Sequence, residues 1–245
     1  MTTLKVSGDA CTGSNMRGVL LKVDYLANMC NYEFVTIICP IYPVIRRRNM
    51  NYSDTHNPAE LVSNWQTALQ YLEDGNKRYL ENLAIARITN REDREILKDG
   101  QKPFAVVVTC SDSRVSPEIY FDQKLGDIFV IRNAGNIADT VALGSIEYAV
   151  EHLKAPLVVV VGHSRCGAVT GALNGGEYPE NLQTIINTIC PAIKDSKTIE
   201  DAIHANIDYV VNRIKENKIV KHTGAAVMGA HYDIESGEVS FNIKE

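Results

Sequence analysis

The chain has 245 residues, 45% of them hydrophobic and 22% charged, a globular balance that excludes a wholly disordered polymer. Its 30 acidic and 25 basic side chains leave a net charge of -5, which argues against a basic nucleic-acid footprint. A membrane helix needs about 20 apolar residues, and the best run, residues 34–45, is short and carries Pro40 and Pro43.

Residues 1–49 show no sustained helical or strand period. They hold Cys11, Cys30 and Cys39, and Arg46, Arg47 and Arg48 follow the apolar run rather than preceding it, the reverse of a secretory signal. We read 1–49 as an N-terminal extension, either poorly ordered or docked as an arm, and 50–245 as the main domain. With Cys110, Cys166 and Cys190 the cysteines are too sparse for a disulfide framework, so reduced thiols in a cytoplasmic protein are expected.

From Asn57 the signals sharpen. Asn57-Pro58-Ala59-Glu60 reads as a helix start, with Pro in the first turn. Leu61, Trp65, Leu69 and Leu72 continue at helical spacing. Gly75 is expected to interrupt this helix, and a second one carries Tyr79, Leu80 and Leu83. A short helix is expected over 91–98. Continuous apolar runs at 104–109, 128–131 and 157–161 predict strands buried on both faces. A helix over 140–153 separates the last two. Helices follow at 166–173, 181–193 and 199–215, then strands at 225–232 and 238–243 around Glu235-Ser236-Gly237. The predicted fold is α/β: a central, mainly parallel sheet flanked by helices, with a C-terminal antiparallel edge strand and an N-terminal helical arm.

Ligands in such sheets bind beyond the carboxyl ends of the strands. Two polar clusters fall there, Cys110-Ser111-Asp112-Ser113-Arg114 and Gly162-His163-Ser164-Arg165-Cys166-Gly167. If the strands are neighbours, Cys110, His163 and Cys166 converge. Two thiolates and an imidazole suit zinc, and three protein ligands leave a fourth position open, as in catalytic sites. Taken singly, each is as well explained as a buried thiol or a hydrogen-bonded ring; the joint placement at two strand ends favours the metal. Asp112 and Arg114 sit in the same loop and can form a bidentate pair. Asp112 can orient an attacking group or close onto the metal as a fourth ligand.

These motifs resemble the β-class carbonic anhydrases. Gly75-Asn76-Lys77-Arg78-Tyr79, Arg132-Asn133-Ala134-Gly135-Asn136 and Gly144-Ser145-Ile146-Glu147-Tyr148 add to the resemblance, which runs from about residue 58 to the C-terminal strands. It implies one Zn2+ per chain on Cys110, His163 and Cys166, and reversible hydration of carbon dioxide by a zinc-bound hydroxide oriented by the Asp112–Arg114 dyad. It implies a substrate pocket of Gln101, Phe129, Ala134 and Tyr148. It also implies a homodimer or homotetramer with active sites near the interface, and no nucleic-acid or membrane partner. A regulated subgroup carries Trp three residues before the first Cys ligand; here that residue is Val107, and the sole tryptophan is Trp65.

No proton shuttle is identifiable: His56, His152, His204, His222 and His231 read as surface or packing residues. Glu118 and Asp122 are placed at i, i+4 on a helix after the dyad, as a solvated face rather than a proton acceptor. Gly162 and Gly167 are read as permitting either close backbone approach to the metal or helix packing. Hydrolysis of carbon disulfide or carbonyl sulfide on the same scaffold, and a zinc-stabilised binding protein, remain as alternatives. A redox protein lacks its Cys-x-x-Cys, and a dinucleotide fold lacks its glycine fingerprint.

Overall fold

A computed structural model describes residues 62, 64–84 and 91–242. The expectations for residues 1–49 and for the helix start at Asn57 lie outside these residues. In chain order the elements are α1 (Trp65–Leu80), α2 (Arg91–Leu97), β1 (Ala105–Cys110), α3 (Pro117–Tyr120), β2 (Ile128–Asn133) and α4 (Thr140–Glu147), which runs into a π-helical turn (Tyr148–His152). Then come β3 (Leu157–His163), α5 (Gly167–Asn174), α6 (Glu180–Ile193), α7 (Ile199–Lys215), α8 (Lys218–Thr223), β4 (Ala226–Tyr232) and β5 (Val239–Asn242). None of the described helices is long and apolar enough to cross a membrane.

The five strands form one sheet in the order β2-β1-β3-β4-β5. All pairs are parallel except β4 with β5, as expected from the sequence. Every residue of β1 and β3 is buried, because helices cover both faces. Val106, Val108, Val158 and Val160 meet α5 to α8, and Val107, Val159 and Val161 meet α1 and α3 on the other side. This double cover explains the continuous valine runs.

The chain leaves β1 toward β2 on one side, then crosses back to place β3 on the other side. That reversal puts the switch in strand order at the carboxyl ends of β1 and β3, the place where such sheets hold ligands.

Three expectations are corrected. First, α1 is continuous through Gly75. A Cβ there would lie 1.7 Å from the Phe121 carbonyl oxygen, so Gly75 marks a close crossing and not a break. Asn76 beside it donates to the Tyr120 and Gly237 carbonyls and accepts from the Val239 N–H, and Arg78 pairs with buried Asp122 at 2.6 Å. Second, Glu118 and Asp122 do not share a helix face. α3 ends at Tyr120, and Asp122 has φ +48° and is buried, while Glu118 is exposed. Third, the helix expected over 140–153 changes to a π-helical turn at Tyr148. Lys218–Thr223 forms a further short helix, ended by Gly224 at φ +72°, in a stretch for which the sequence carried no reading. Of the two glycines around His163, Gly162 is fixed by packing, since a Cβ would lie 2.6 Å from Ile207. A Cβ at Gly167 would meet nothing within 4 Å.

Candidate active site

β1 delivers Cys110 and β3 delivers His163 to the same end of the sheet, and Cys166 follows at the start of α5. Their two sulfurs and a ring nitrogen all lie within 4.8 Å of one another. Cys110 is 5% exposed, Cys166 1% and His163 0%. Three buried ligand-type atoms thus converge from segments more than fifty residues apart.

The surroundings favour charge on sulfur. The Gly135 N–H donates to Cys110 Sγ at 3.4 Å, and the Ala168 and Val169 N–H groups at the start of α5 point to Cys166. The hydrogen bond from Cys166 holds Cys110 far below the usual thiol range despite burial. The same bond, with burial, drives Cys166 upward.

His163 is oriented by one bond. Its Nδ1 lies 2.9 Å from the Ser164 carbonyl oxygen; a carbonyl only accepts, so Nδ1 carries the proton and Nε2 presents a lone pair. That Nε2 is buried without a hydrogen-bond partner. An unpartnered buried acceptor is costly, and its position among two thiols fits an ion bound by all three.

The loop after Cys110 is tightly tied. Arg114 Nε and Nη2 donate to Asp112 Oδ1 and Oδ2 at 2.9 and 2.7 Å, and the Arg114 backbone N–H adds a bond to Oδ1 at 3.0 Å. The guanidinium bonds hold the Asp112 carboxyl well below the ordinary carboxylate range. Arg132 donates to the carbonyls of Cys110 and Asp112 at 3.0 and 2.7 Å, which fixes the loop to β2.

The sequence model of the carbonic anhydrase family matches residues 105–239, the span that holds both motifs. The chain belongs to the β-class carbonic anhydrases. A carbonic anhydrase of Mycolicibacterium smegmatis is 38% identical over 191 residues, covering 72% of this chain and 93% of its own. Carbonic anhydrase 2 of Mycobacterium tuberculosis is 35% identical over 184 residues, covering 69% and 89%. Among solved structures, a tetrameric β-carbonic anhydrase of Sordaria macrospora superposes with a TM-score of 0.58 at 27% identity, over 72% of this chain and 98% of that one. A Coccomyxa β-carbonic anhydrase in complex with acetazolamide gives 0.57 at 26%, over 72% and 86%.

This carbonic anhydrase is therefore an enzyme of carbon dioxide hydration. Its chain brings together only part of the expected pocket. Ala134 adjoins Gly135 at the Cys110 sulfur. Phe129 and Tyr148 pack together with ring centroids 6.3 Å apart, but Phe129 pairs with Val106 whereas Cys110 pairs with Asn133. Four residues of strand, about 13 Å, separate those levels. Gln101 lies before the amino end of β1, exposed, in a surface hollow with Ile96, Leu97 and Leu125. Val107 is fully buried in the core.

Sequence reasoning quoted the Arg132–Asn136 motif without finding its work. Arg132 grips the loop, Asn133 bonds Ile137 at both ends of its amide, and Gly135, at φ +78°, turns its N–H to sulfur. Buried Asn206 of α7 donates to the Gly135 carbonyl at 2.9 Å. The signal for the motif was its place directly after a strand; Asn206 carried none.

Proposed function

We propose that Cys110, His163 and Cys166 hold one zinc ion per chain, and that Asp112 and Arg114 act as the dyad for reversible hydration of carbon dioxide to bicarbonate and a proton. The observation that carries this reading is the unpartnered buried Nε2 of His163 facing two buried thiols. Zinc, when bound, supplies the Lewis acidity that lowers the pKa of water from 15.7 to about 7.

The chain's own residues supply orientation. Asp112 Oδ1 already accepts two hydrogen bonds and Oδ2 one. A carboxylate has about four acceptor positions, so Oδ2 keeps one for the O–H of the attacking water. Being acceptor-only, Asp112 turns the O–H toward itself and leaves an oxygen lone pair free for the carbon. Arg114 keeps Asp112 ionised and still. The dyad holds Asp112 apart from the ligand cluster, which among the described residues comprises Cys110, His163 and Cys166; this supports an open site. Arg132, spent on two carbonyls of the loop, serves position rather than a bicarbonate.

The pocket reading needs a second copy. β2 has one strand neighbour among the described residues, and its Ile128, Phe129, Val130 and Ile131 are only half-buried, unlike β1 and β3. Two β2 edges related by a two-fold axis perpendicular to the strands run antiparallel. The amino end of one then meets the carboxyl end of the other, and Gln101, Phe129 and Tyr148 serve the partner's metal site. The tetrameric Sordaria relative is consistent with such assembly.

The test is stopped-flow hydration of carbon dioxide from about pH 6.5 to 9, with zinc counted on the same sample. One zinc per chain and a rate that rises above neutral pH are expected. A full complement of zinc with no hydration anywhere in that range rejects the reading.

A further inference from the structure

Two histidines that look unrelated in sequence meet at the surface. β4 places His231 opposite Gly162, and the start of α7 presents Glu200 and His204 one turn apart. His204 Nε2 and His231 Nε2 lie 3.2 and 3.4 Å from the same Glu200 Oε1, and all three ligand atoms fall within 4.8 Å of one another. We propose that Glu200, His204 and His231 form a second divalent-metal site, which takes zinc or a neighbouring transition-metal ion through two imidazoles and a carboxylate.

The geometry is that of a ligand set gathered before the ion arrives. Tetrahedral bonds of 2.0–2.2 Å place ligand atoms about 3.3–3.6 Å apart, and the two separations from Glu200, 3.2 and 3.4 Å, already match. His231 Nε2 is shut off from solvent and makes no hydrogen bond; its 3.4 Å approach to Glu200 lacks the geometry of one. It thus resembles His163 Nε2, a buried nitrogen aimed into a cluster of donors. The two rings stand 5.0 Å apart, tilted by 35°, a ring contact that holds both imidazoles beside Glu200. Glu200 lies in the first turn of a helix with a complete capping box, so its backbone is rigid. The side chains of Glu200 and His204 are 56% and 44% exposed, which leaves a path for the ion and positions for water.

Imidazole with carboxylate suits zinc, cobalt, nickel and copper, and not calcium or magnesium, which prefer oxygen. The exposed rim makes this the weaker and more exchangeable of the two sites.

The test counts zinc in the full chain dialysed against excess zinc chloride, and measures the weaker binding step calorimetrically. Wild type is expected to hold two ions per chain, His204→Gln one, and Cys166→Ser to lose the other. The weak step should weaken at least tenfold, about the least that loss of a ligand costs, in His204→Gln. Glu200→Gln, at an exposed position, should do the same if the histidine variant misfolds. A zinc count that His204→Gln leaves unchanged, whether one or two, overturns the proposal. Loss of an ion in His204→Gln with none lost in Cys166→Ser would support this site and reject the reading of the first.

Discussion

With both oxygens held by Arg114, Asp112 keeps its charge and its direction. Asp112→Asn retains the shape but loses charge and one set of acceptor positions. We expect it to keep the zinc and to lower kcat/KM by about 10²-fold, the scale of losing one precise orientation; metal analysis alongside hydration kinetics checks both halves. A companion prediction concerns acid stability. The carboxyl pKa is depressed in the folded chain, so its stabilising contribution is complete above the unfolded value of about 3.9. It disappears as pH falls through the folded value. Denaturant melts of wild type and Asp112→Asn should therefore differ by a constant amount above about pH 5 and converge in stronger acid. A gap that stays constant below about pH 3 would contradict this.

Among the elements, α1 shows how far the sequence can be read. Its apolar spacing named the helix, and Leu69 and Leu72 are buried as expected. The role of Gly75 was not legible, because nothing local states that the Phe121 carbonyl crosses it. Gly75→Ala should push α1 off the 117–122 segment and cost on the order of 3 kcal/mol, measurable by denaturant melts. β1 and β3 were legible because burial on both faces leaves a run of valines that few other environments demand. The π-helical turn at Tyr148–His152 was not, since 3.6 and 4.4 residues per turn differ little over one turn. The same limit applies to side chains. Cys110, His163 and Cys166 announced themselves by ending strands, whereas His204 and His231 meet only because α7 lies across β4.

For the whole molecule, the position of Gln101 at the far end of β1 from Cys110 makes assembly testable without a structure of the complex. Gln101→Ala and Cys110→Ser chains should each be nearly inactive. Mixed and reassociated at equal amounts, they should regain about one quarter of wild-type activity, since half the dimers are mixed and one of their two sites is intact. No recovery would place Gln101 in its own chain's site. Sedimentation should accordingly give multiples of the 27.1 kDa chain.

The reversal of strand order has a mechanical outcome. Because β1 and β3 each end in a donor to one cluster, a bound ion rivets two neighbouring strands at one end only. Chelation should then let the sheet fray directionally. Amides of 110–114 and 163–166 should exchange deuterium faster, while those at the amino ends of the same strands keep their protection.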